Sequence, residues 1–69
     1  MNVFRISTIT SKDDFFQKVC EEHIDVVVSN NKNEKYIKQH GLLFIDETKN
    51  YNNKEIENIW NISENSLGF

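Results

Sequence analysis

Apolar positions along the chain fall in short blocks separated by polar, Asn-rich connections, and their spacing changes from block to block. The stretch from Val3 to Ile9 is rich in β-branched and aromatic residues, with Phe4, Ile6 and Thr8 on one face, which predicts a strand. Ser11 then stands where a helix N-cap belongs, with Asp14 three residues later and Asp13 beside it. Phe15, Phe16, Val19, Cys20 and His23 follow at helical spacing, so a helix is predicted from about Lys12 to His23. Asp25 to Ser29 encloses three consecutive valines, a run of the kind a strand buried on both faces shows, as in parallel sheets. Asn30 to Asn33 is a polar connection. Glu34 to His40 holds two helical turns with Tyr36 and Ile37 inward, and Gly41 fits the position just past the helix end. Leu42 to Ile45 is a second continuous apolar run, closed by Asp46 and Glu47. Asn50 to Asn53 reads as a loop, with Asn52 capping a last helix, Glu55 at N3, and Tyr51 and Ile56 as a hydrophobic staple. Ile56, Ile59 and Trp60 form one stripe on that helix, and Ser63 to Phe69 reads as a tail, frayed unless Leu67 and Phe69 dock.

The resulting order is β-α-β-α-β-α, and right-handed crossovers make such a sheet parallel. The predicted fold class is therefore α/β, a small three-stranded and mostly parallel sheet. Because Asn30 to Gly41 barely holds a helix, an α+β alternative stays open. There, strands two and three pair as an antiparallel hairpin, and Tyr36 to Lys38 begin strand three. Residues 1–62 read as one domain and 63–69 as its tail.

Composition narrows the classes. At 69 residues the chain holds one domain, and a domain of this size buries only about 60 % of its unfolded surface. That argues against an enzyme with a walled active site. Eight basic residues against eleven acidic ones give a net charge of −3, which is no nucleic-acid coat, and one cysteine builds no disulfide scaffold. No run of about 18 apolar residues marks a membrane span. The first residues lack a basic stretch followed by an apolar one. A soluble, cytoplasmic protein without membrane contact is expected. Asn, Ile, Lys, Phe and Tyr together make 32 of the 69 residues, and Ala and Pro are absent. The abundant types share A/T-rich codons, which points to a low-GC bacterium, its phages or plasmids, or another A/T-rich genome.

Candidate chemistry is sparse. Ligands of open parallel sheets bind beyond the carboxyl ends of the strands. Here those ends carry Thr8, Thr10 and Ser11, then Ser29, Asn30 and Asn31, then Asp46, Glu47 and Thr48. Oxygen donors of this kind suit a divalent cation, although the same residue types also cap helices and make turns. No glycine-rich phosphate loop follows the first strand. Cys20 and His23 lie three apart on one predicted helix, but zinc needs three or four ligands and a nucleophilic thiol needs an orienting third group. Their ordinary reading is a buried small thiol and a helix-end histidine. No catalytic residue, cofactor or metal is assigned, and the chain is expected not to be an enzyme. Lys32, Lys35 and Lys38 recur every three residues, a spacing that can track phosphates or simply form a solvated face.

Residues 2–7, the Ser11 to His23 segment and residues 25–30 together resemble the N-terminal part of Phd/YefM-type antitoxins: a short strand, a Ser-led amphipathic helix, then a strand before a hydrophilic turn. The likeness is to a pattern covering less than half of the chain. It implies a dimeric operator-binding domain with a toxin-binding tail. That family continues through a basic, glycine-containing turn into a third strand, where this chain has Asn31 to Glu34.

Two functional expectations follow. The first is a small acidic interaction module that binds and modulates a protein partner, by inhibition, and is encoded by a phage or mobile element. Ile56, Ile59, Trp60, Leu67 and Phe69 are its contact candidates, since an apolar stripe with a tryptophan suits a binding hot spot. The alternative is a dimeric DNA-binding regulator or antitoxin using Arg5, Lys32, Lys35 and Lys38.

Overall fold

The computed structural model describes the backbone of residues 1–67 and the side chains of residues 1–64. In chain order the elements are β1 (Val3–Arg5), α1 (Lys12–Glu21), β2 (Val26–Ser29), a 3-10 turn (Asn31–Asn33), α2 (Glu34–Gln39), β3 (Leu43–Asp46), a second 3-10 turn (Glu47–Lys49) and α3 (Asn53–Leu67). The three strands form one parallel sheet in the order β1-β2-β3. Val26 pairs with Val3 on one side and with Leu43 on the other. The α/β reading therefore holds and the antiparallel hairpin does not. The 3-10 turn at Asn31–Asn33 runs straight into α2, so the short connection between β2 and β3 carries enough helix to reverse direction.

Both crossovers step the same way across the sheet, so the right-handed rule puts α1 and α2 on one face. There Phe15 of α1 and Ile37 of α2 pack with Ile24 and Val27, and Phe4, Ile6, Ile9, Val19, Tyr36, Leu42 and Phe44 close around them. On the other face, among the described residues, α3 works alone. Its Ile56 packs on Val26, Val28 and Ile45, flanked by Val3, Leu43, Tyr51, Ile59 and Trp60. Alternate residues of β2 thus serve opposite cores, which is why Val26, Val27 and Val28 follow one another with no polar residue between. All four of its residues are buried.

Local signals act where they were expected. Ser11 Oγ accepts a hydrogen bond from Asp14 N at 3.2 Å. Asn52 and Glu55 form a reciprocal capping box: Glu55 N donates to Asn52 Oδ1 at 2.9 Å and Asn52 N donates to Glu55 Oε1 at 3.1 Å. Gly41 has φ +74 after α2. A Cβ there would meet nothing within 4 Å, so its backbone angle, not lack of room, suits glycine.

Three boundaries differ from the sequence reading. The first strand stops at Arg5 instead of Ile9: Ile6 N donating to Val28 O closes its ladder with β2, whose next residue, Ser29, pairs with Asp46 of β3. The first helix ends at Glu21. His23 takes a left-handed φ of 52, and Ile24 N donates back to Val19 O at 3.1 Å, burying Ile24 beyond the turn. The last helix continues through the expected tail to Leu67.

Candidate functional site

Four places carried candidate residues. At the carboxyl ends of the strands, polar side chains bind one another. Ser7 Oγ donates to Glu47 Oε1 at 2.5 Å, linking the segment after β1 to the turn after β3. Asn33 Nδ2 donates to Ser7 O at 3.1 Å and to Ser29 Oγ at 2.9 Å, which satisfies a serine with no exposed surface. Asp46 Oδ1 accepts from Thr48 N at 2.9 Å and from Thr48 Oγ1 at 2.8 Å. These two bonds, and the nearby Lys49 ammonium, hold the Asp46 carboxyl below its ordinary value of 3.8. The hollow left there, about 160 Å³ between Ser7, Thr8, Ile9, Asn30, Lys32 and Asn33, is small; ligand sites usually hold about 300 Å³ or more. A ligand crevice in such sheets opens where neighbouring crossovers diverge. With both running the same way, these three strands open none.

Cys20 is exposed, against the expectation of a buried thiol, because the inward side of α1 is taken by Phe15 and Val19. His23 lies beyond the helix end, in the left-handed turn. Among the described residues no three His, Cys, Asp or Glu side chains converge as a metal site would require. The second histidine, His40, caps α2 and meets Tyr36 edge-on at 4.7 Å, with Phe16 at 5.4 Å.

The basic candidates do not share a face. Lys32, Lys35 and Lys38 are exposed along the 3-10 turn and α2, and Lys38 is ion-paired with Glu34 at 2.7 Å. Arg5 points to the opposite side of the sheet, where its Nη2 donates to Asn53 Oδ1 at 3.2 Å and to Tyr51 O at 3.4 Å.

The fourth place is α3. Ile56 is wholly buried, which makes it core and removes it from the contact candidates. Ile59 and Trp60 are half-buried. Trp60 has one side on the core and the other on a hollow of about 280 Å³ shared with Gly41, Leu42, Leu43, Ser63 and Glu64. Leu67 ends the helix; its side chain, and Phe69 altogether, lie outside the described residues. A stripe count finds Trp60 but not Gly41, Leu42 and Leu43, which reach it only through the fold.

These features define a small parallel α/β domain with helices on both faces. Comparison with protein-family models, curated proteins and solved structures found no match for the chain. The antitoxin-like pattern would require a turn into a third strand at Asn31 to Glu34. A 3-10 turn and α2 stand there instead. No helix of the described residues is long and apolar enough to cross a membrane.

Proposed function

We propose that the chain is a protein-interaction module: it binds a partner protein through the hollow beside Trp60 and modulates that partner by occupying it, without catalysis. The observation that carries this reading is the half-buried Trp60 at the wall of that hollow, with Leu42 and Leu43 beside it. A tryptophan with one face fixed by the core and the other open is pre-organised to receive an apolar side chain, and such residues dominate binding energies. The fitting partner presents a short apolar segment. The regulator alternative, built on Arg5, Lys32, Lys35 and Lys38, draws less support, because Arg5 and the lysines lie on opposite sides of the sheet and Lys38 is already paired.

The test is capture from a low-GC bacterial lysate, with and without nuclease, using the wild-type chain, Ser63→Arg at the hollow, and Glu21→Arg on distant α1 as control. A stoichiometric protein that survives nuclease, is kept by Glu21→Arg and is lost by Ser63→Arg supports the reading. Trp60 is the single tryptophan, so its emission reports the same event with purified components. Capture of nuclease-sensitive material alone would overturn the reading in favour of the regulator. Capture indifferent to Ser63→Arg would remove the hollow from the interface.

A further inference from the structure

We propose that the open edge of β1 is the contact surface for a second copy of this chain, paired antiparallel across a two-fold axis. Hydrogen bonds to β2 are made by Asn2 O, which accepts from Val26 N at 3.1 Å, and by Ile6 N, which donates to Val28 O at 3.0 Å. In a parallel ladder the residues between alternate in direction, so the N–H and C=O groups of Val3 and Arg5 turn to the open side. An edge of this kind is a template for another strand. The strand is three residues long and carries one charge, Arg5, but it contains no proline and no lysine.

Both flanks of the edge are hollow. On the α3 side, Met1, Val3, Arg5, Asn53 and Glu57 line a broad open depression of about 540 Å³. On the α1 side, a smaller one of about 150 Å³ is lined by Phe4, Ile6 and Phe15 together with Thr10, Asp14 and Lys18. A strand laid along β1 would therefore meet no helix in its way.

The charges on the α3 side select the occupant. Arg5 and Glu57 line the same depression with opposite signs; the Arg5 guanidinium bonds through Nη2 to Asn53 Oδ1 and Tyr51 O, and among the described residues neither Arg5 nor Glu57 forms an ion pair. A two-fold axis through Phe4 sets Val3 of one copy opposite Arg5 of the other. The outward backbone groups of both then pair, and each Arg5 guanidinium reaches over the partner's Val3 toward the carboxylate of Glu57 there. The surface is complementary to itself, as a two-fold interface must be. Pairing Arg5 against Arg5 instead would set like charges face to face. On the other face the two Phe4 rings meet at the axis. The product is one continuous six-stranded sheet, and the Trp60 hollow stays outside the contact, so this inference stands or falls apart from the proposed function.

Sedimentation equilibrium of the full chain tests it, across protein concentration and at low and high salt. The expected result is a dimer. Arg5→Glu and Glu57→Arg alone should each weaken it by about tenfold or more, and the double variant should recover it. Far-UV circular dichroism confirms folding. Glu57 lies on an exposed helix face, so Glu57→Arg remains informative even if Arg5→Glu does not fold. A monomer at all concentrations would overturn the proposal. So would a dimer indifferent to Glu57→Arg.

Discussion

Asp46 shows how a single side chain closes the carboxyl edge of the sheet. Its carboxylate is stabilised by the Thr48 backbone N–H, then by the Thr48 hydroxyl, with Lys49 adding to both, so its proton is held less tightly than in the unfolded chain. A carboxyl group lowered in this way contributes stability above its ordinary value of 3.8 and loses it as pH falls through the lower folded value. Asp46→Asn is therefore expected to melt below wild type at neutral pH. The gap should close on acidification below the ordinary aspartate range. A gap independent of pH would show that the charge is irrelevant. His40 presents the opposite case: its Nε2 is buried with no hydrogen-bond partner, inside a cluster of Phe15, Phe16 and Tyr36. His40→Phe keeps a ring in the cluster and removes the unpaired atom. A gain of about 1 kcal/mol is expected, read as a higher melting temperature; a loss would mean that the imidazole makes a bond to water that the phenyl ring cannot replace.

Among the elements, α3 has the clearest start. Asn52 and Glu55 satisfy two helix-end N–H groups reciprocally, and Tyr51 packs beside Ile56 in the core just behind them. Asn52→Ala should cost about 1 kcal/mol, a fall of about 4–8 °C in melting temperature for a domain of this size. An unchanged melt would mean that the packing of Ile56 alone holds the first turn. Caps of this kind were legible in the sequence because they depend on residues three apart. So was the burial of β2, since three consecutive valines suit a strand covered on both sides. What was not legible depends on distant partners. The end of β1 is set by where its pairing with β2 stops, at Arg5 beside Val28, which nothing in residues 3–9 encodes. The exposure of Cys20 follows from Phe15 and Val19 taking the inward side of α1. The walls of the Trp60 hollow come from Gly41 to Leu43, far away in sequence, so the stripe Ile56, Ile59 and Trp60 looked uniform although Ile56 is core and Trp60 borders open space.

At the scale of the whole molecule, the described residues cover the two faces unequally, by α1 and α2 on one side and by α3 alone on the other. Single domains shorter than about 70–80 residues rarely hold more than about 3–5 kcal/mol from their core. Ile56 has no exposed surface and is the only wholly buried side chain that α3 contributes among the described residues. Replacing such an isoleucine by alanine costs about 2–5 kcal/mol, which is comparable with the entire stability. Ile56→Ala is therefore expected to lose cooperative melting. Ile59→Ala, trimming a half-buried side chain on the same helix, should leave a transition at lower temperature. The central strand serves both cores through alternate residues, Val27 for one and Val26 with Val28 for the other. Neither face can keep its packing once the other opens. Trp60 fluorescence, reporting the α3 side, should then trace the same melting curve as far-UV circular dichroism of the whole chain. Separate midpoints, with α3 releasing first, would show instead that the α1–α2 side and the sheet hold together without their single covering helix.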